Sequence, residues 1–121
     1  MKTKDTAALE QGLAQHYGTE TWYRHPLSKI LYTEGVKYLA DEAGAYWLVD
    51  EIAFAQIRKP VRAEQFQVWV LTVKEDATAK LHCEDGNGRT VYTTKIPFTD
   101  FPLPEIKLWF TDNVLLLPTE Y

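Results

Sequence analysis

The chain has 121 residues, of which 45% are hydrophobic and 25% charged, the balance of a folded domain rather than a disordered or fibrous chain. Thirteen Lys and Arg stand against seventeen Asp and Glu, a net charge of −4, so the totals carry no basic footprint for non-specific nucleic-acid binding, although a local basic patch is compatible with them. The lone Cys83 makes neither an internal disulfide nor a Cys-rich zinc site. No apolar run approaches the roughly 18 residues of a membrane span, and the polar residues 1–10 have no signal-peptide core. The expectation is one cytoplasmic domain over residues 1–121, with no membrane association and no cofactor.

In chain order, residues 5–17 read as a helix, capped by Asp5 or Thr6 and stopped by Gly18. Leu9, Leu13 and Tyr17 recur at four-residue spacing on one stripe. Gly12 costs that helix about 1 kcal/mol relative to alanine, so it needs tertiary support. Residues 19–29 read as a connection. Residues 30–33 and 36–40 flank Glu34-Gly35, which predicts a hairpin, and the polar stretch 41–44 leads into a second helix at 45–57, ended by Lys59-Pro60.

The second half reads as strands. Residues 66–74 are β-branched and aromatic, 79–84 alternate apolar and polar, and 90–96 follow the turn Asp85-Gly86-Asn87-Gly88, which together predict a meander. Pro97, Pro102 and Pro104 make 98–104 irregular. Residues 106–110 and 114–117 read as a hairpin through Thr111-Asp112-Asn113, with a short helix opened by Pro104-Glu105 as the alternative. The fold class is α+β: a mostly antiparallel sheet of meander and hairpins, with two helices packed on one face.

Four segments carry a resemblance: Thr33-Glu34-Gly35-Val36-Lys37-Tyr38-Leu39, Ala45-Tyr46-Trp47-Leu48, Cys83-Glu84-Asp85-Gly86-Asn87-Gly88, and the ending Asn113-Val114-Leu115-Leu116-Leu117-Pro118-Thr119-Glu120-Tyr121. Over roughly residues 17–121 the chain resembles a family of small bacterial proteins known only as a domain of unknown function, encoded in genomes, plasmids and phages. The resemblance implies a bacterial cytoplasmic protein and supplies no activity and no site residue.

The residues that invite chemistry have plainer readings. His82 and Cys83 are neighbours on a strand, so their side chains diverge; Cys83 shares a face with Ala79 and Leu81 as a small buried hydrophobe, and His82 shares one with Lys80 and Glu84 in solvent. His16, His25 and His82 have no metal-ligand spacing. The 85–88 segment lacks the further oxygen ligands of a calcium loop and the Gly-Lys-Ser/Thr of a phosphate loop. Asp50 and Glu51 are adjacent on a helix and diverge by about 100°, which does not make a hydrolytic pair.

Two groups remain as binding candidates. On the second helix Ala45, Leu48, Val49, Ile52 and Ala55 form one apolar face, while Trp47, Glu51, Phe54 and Arg58 form a separate stripe of aromatics with opposite charges. Left uncovered, that stripe is an interface; the alternative is that the first helix or the 19–29 loop covers it. Trp22, Tyr23, Arg24 and His25, with Tyr46, are candidates to line a pocket for a small molecule or nucleotide. The alternative there is that Trp22 and Tyr23 plug the end of the sheet while Arg24 and His25 face water.

The reading that follows is a non-enzymatic protein-interaction module, with homodimerisation as one form of it. A small-molecule or nucleotide binder, a mobile-element-encoded inhibitor of a host system, and an enzyme whose residues converge only in three dimensions stay open beside it.

Overall fold

The computed structural model describes residues 6–15 and 21–121. Asp5, His16, Tyr17 and Gly18 lie outside the described residues, so the predicted cap and stop of the first helix do too. That helix, α1, runs Thr6–Ala14 with Leu9 buried, and it lies on the helix at 34–43. The tertiary support that Gly12 needs comes from close approach: a Cβ at this position would collide with the Tyr38 ring and hydroxyl.

Two segments differ from expectation. The 19–29 connection contains a short strand, β1 (Trp22–Arg24), paired antiparallel with β2 (Leu31–Thr33). The hairpin expected around Glu34-Gly35 is absent; α2 (Glu34–Ala43) starts there instead. Thr33 caps it, its hydroxyl accepting from the Val36 N–H at 3.2 Å, and the Glu120 carboxylate accepts from the Gly35 N–H at 3.0 Å. Gly35 therefore gives room rather than a positive φ, since a Cβ there would sit 2.7 Å from the Glu120 carboxyl carbon. Apolar residues Val36, Leu39, Ala40 and Ala43 then recur at helical spacing and are all buried. Gly44, left-handed at φ 62°, closes the helix.

The second helix, α3, runs Tyr46–Ala55, inside the expected 45–57. Lys59-Pro60 ends it and opens a one-turn helix, α4 (Lys59–Arg62), in which proline takes the first turn, where its missing N–H costs nothing. The meander forms as β3 (Phe66–Val73), β4 (Ala79–Glu84) and β5 (Thr90–Ile96). The closing hairpin forms as β6 (Glu105–Thr111) and β7 (Val114–Leu116), joined by Asp112 and Asn113 at φ 52° and 66°. A 3-10 turn at Pro118–Glu120 follows.

The seven strands make one sheet in the order β1-β2-β7-β6-β3-β4-β5, antiparallel except for the β2–β7 pair. The chain is thus a mostly antiparallel single-sheet α+β protein, with four helices among the described residues. Residues facing the helices build the core. Leu39, Leu48 and Ile52 from the helices meet Trp69, Leu71, Leu81, Cys83, Leu108 and Leu115 from the sheet. No described helix is long and apolar enough to cross a membrane.

Candidate functional site

The apolar face of α3 faces inward as the spacing requires: Leu48, Val49, Ile52 and Ala55 are buried. The separate stripe points outward. Trp47 is half-buried against the core, Glu51 and Arg58 are exposed, and Phe54 keeps 46% of its surface in solvent. From the 21–29 segment, the His25 ring meets Phe54 edge to face at 5.5 Å. Ile57, 77% exposed, lies in the turn just past the end of α3. Glu51 and Arg58 do not pair with each other. Arg58 lies past the end of α3, extended (φ −79°, ψ 128°) just before α4, and among the described residues neither it nor Glu51 makes an ion pair. The Arg58 guanidinium instead lies 5.4 Å over the Tyr92 ring, which holds it at the end of the ridge. Beside the ridge a shallow groove of about 450 Å³ runs past Trp47 and Glu51 to Lys95, Asp100 and the exposed ring of Phe98.

The 22–25 group is divided by strand alternation. Tyr23 faces the helices, stacked on Tyr32 at 5.7 Å, while Trp22 and Arg24 pair with Thr33 and Leu31 on the opposite side of the sheet. His25 is buried at 2% exposure rather than facing water. Its Nε2 lies 2.7 Å from Asp50 Oδ1, and its Nδ1 accepts from the Leu27 N–H at 3.3 Å. With Nδ1 accepting, the ring proton sits on Nε2 and is donated to Asp50. Both nitrogens are thus occupied in tying the turn before β2 to α3.

Tyr46 joins a different set. Its hydroxyl donates to Asp41, whose other oxygen accepts from Lys37 Nζ at 2.7 Å, and Lys37 Nζ lies 5.4 Å from the Tyr23 ring centre. Desolvation and then the Asp41 bond push the Tyr46 phenol up to about 12. The bonds from Lys37 and Tyr46 hold Asp41 below the usual carboxylate range, and the bond to Asp41 raises Lys37. Desolvation raises the neighbouring Tyr32. The structure therefore brings Tyr23 and Tyr46 to one cluster and leaves Trp22, Arg24 and His25 out of it.

Other reactive groups are buried or bonded inside the fold. Burial pushes the Cys83 thiol up to about 12, so thiolate chemistry at neutral pH is closed to it. His82, half-buried rather than fully in solvent, bonds Glu84 through Nε2 at 2.7 Å, while its buried Nδ1 has no hydrogen-bond partner among the described residues. The buried Gln67 amide donates to the Val61 carbonyl and the Gln56 amide, and accepts from Trp69 Nε1. Glu120, 6% exposed, accepts from the Thr33 hydroxyl at 2.6 Å and from the Leu117 and Gly35 N–H groups. Among the described residues no three His, Cys, Asp or Glu side chains cluster as a metal site.

The sequence reading missed the face of the sheet turned away from the helices. Register places Phe66, Val68, Val70 and Thr72 of β3 there, with Trp109 and Lys107 of β6 and Lys80 and His82 of β4. Phe66, Trp109 and Tyr121 meet edge to face, 5.2–5.6 Å apart. The signal was the alternation itself, hidden because β3 is apolar on both faces.

Fold and surface together define a single-sheet α+β protein with one helix-covered face, one open face and an exposed aromatic ridge on α3. The chain belongs to the family described as Family of unknown function (DUF6876), whose model matches residues 7–121. No curated protein and no solved structure matches it.

Proposed function

We propose that this protein is a non-enzymatic protein-interaction module that pairs with a second copy of itself across the α3 ridge. The observation that carries the reading is the order of side chains along that ridge. Phe54 is exposed in the middle, Glu51 stands three residues before it on α3, and Arg58 stands four residues after it, just past the helix end. A two-fold axis through Phe54 sets the two helices antiparallel, and Glu51 then lies opposite Arg58 of the partner subunit at both ends. The ridge is complementary to itself in charge, and its centre is apolar and aromatic, as stable interfaces are. Supporting it, the groups that invite acid–base or thiol chemistry are bonded inside the fold (His25, Glu120) or closed to ionisation (Cys83).

Native mass spectrometry over a range of protein concentrations tests the reading. A dimer that dissociates on dilution is expected for the wild type, and Ile57→Asp, a change at a residue 77% exposed, is expected to leave a folded monomer. A wild-type chain that stays monomeric at high concentration contradicts it.

A further inference from the structure

The open face of the sheet can be mapped row by row from the strand register. Lys95, Lys80, Thr72 and Glu105 form one row; Thr93, His82, Val70 and Lys107 form the next. Then come Glu84, Val68, Trp109 and Leu116, and finally Phe66, Thr111, Val114, Leu31 and Arg24. One end is basic and the other aromatic, with Tyr121, 75% exposed, closing the aromatic cluster. Six residues of β3 separate the rows, so the two ends lie on the order of 20 Å apart.

Charge on this face runs against the molecule. Four basic side chains (Arg24, Lys80, Lys95, Lys107) share it with two carboxylates (Glu84, Glu105), which leaves nine Lys and Arg against fifteen Asp and Glu elsewhere in the chain. Lys80 and Lys95 stand directly opposite each other across β4 and β5, an arrangement that costs stability when nothing neutralises it. Among the described residues neither makes an ion pair. With Lys74 they line a hollow of about 540 Å³ at the corner of the sheet.

We propose that this face binds single-stranded nucleic acid, with the backbone phosphates on Lys74, Lys80, Lys95 and Lys107 and bases stacked at Phe66, Trp109 and Tyr121. A polyanion removes the cost of the opposed lysines, and the exposed ring of Tyr121 with the half-buried rings of Phe66 and Trp109 offers stacking to any base. Sheets with helices behind and aromatics in front are an established platform for single strands. A second copy of the chain is disfavoured here, because the face would meet its own positive charge. An acidic protein is the weaker fit, because protein interfaces favour Arg and are depleted in Lys, whereas this corner is built from Lys.

Fluorescence anisotropy of end-labelled oligothymidylate and oligouridylate, each about twelve nucleotides long, tests the proposal on the full chain. Binding of either is expected, with quenching of tryptophan emission and a log–log salt slope of about −3 for four phosphate contacts. Lys80→Glu creates an opposite-charge pair with Lys95, so it keeps the sheet intact while weakening binding about tenfold and flattening the slope. Tyr121→Ala, at an exposed terminal residue, is expected to weaken binding several-fold without changing the slope. Failure of both oligonucleotides to bind at low salt, wild-type affinity in Lys80→Glu, or labelled polyglutamate bound as tightly as the oligonucleotides would each overturn it, the last in favour of an acidic protein.

Discussion

Strand β3 has one sequence and two environments. Gln67, Trp69 and Leu71 point into the helices, where Trp69 keeps 1% of its surface and its indole N–H is bonded to Gln67. Phe66, Val68 and Thr72, one residue out of phase, sit half-buried on the open face beside Trp109. The two faces contain similar side chains, and what separates them is cover. Among the described residues, the helix side is a core with no unpartnered buried side-chain nitrogen or oxygen, whereas the open side is an apolar strip with lysines that make no ion pair at one end.

The largest expected break of that comparison is a pair of truncations. Trp69→Ala is expected to cost about 3–5 kcal/mol, since it opens a cavity and removes one of the two donors to the buried Gln67 oxygen. Trp109→Ala on the open face is expected to cost about 1–2 kcal/mol. Urea unfolding of both variants measures the difference; equal costs would mean that the open face is as essential to the fold as the core.

Next comes the buried carboxylate. Glu120→Ala leaves the Gly35 and Leu117 N–H groups and the Thr33 hydroxyl without their acceptor, an expected loss of about 3 kcal/mol. Glu105→Ala, an exposed carboxylate on the open face, is expected to change stability by less than about 0.5 kcal/mol. Denaturant midpoints of the two variants sharpen the contrast between a bonded carboxylate and a solvated one.

The smallest effect is on pH dependence. Asp41 is lowered when folded, so its contribution is present above its unfolded pKa of 3.8 and fades as pH falls below it. Tyr46 is raised, so its contribution is complete below its unfolded pKa of 10.0 and is lost as pH rises toward about 12. Lys37, also raised, is lost in the same alkaline direction. A stability–pH curve should therefore fall at both ends, and Tyr46→Phe should flatten the alkaline limb, with phenolate absorbance as the check. An unchanged limb would show that the Tyr46–Asp41 bond contributes nothing to stability.

Much of the fold was legible. The meander, the α3 boundaries and the Asp112-Asn113 hairpin follow from alternation, helical spacing and turn chemistry. The 34–43 segment misled because Glu34-Gly35 looks like a turn locally, and the residue that settles it as a helix start, Glu120, lies 85 residues away. Read as a helix, that segment would also have shown the Lys37–Asp41 pair at four-residue spacing. The α3 stripe was visible because helical spacing separates two faces cleanly. The open sheet face was not, because its lysines are dispersed over positions 80, 95 and 107 and only strand register brings them together.

The central claim is that the α3 ridge pairs with itself, and a charge-swap cycle read by sedimentation equilibrium tests it most directly. Glu51→Arg and Arg58→Glu each place like charges opposite one another and should each weaken the dimer. The double variant restores opposite charges at both ends and should recover it. Loss in both single variants with recovery in the double is the predicted result; a mass that is the same in all four proteins would contradict the account.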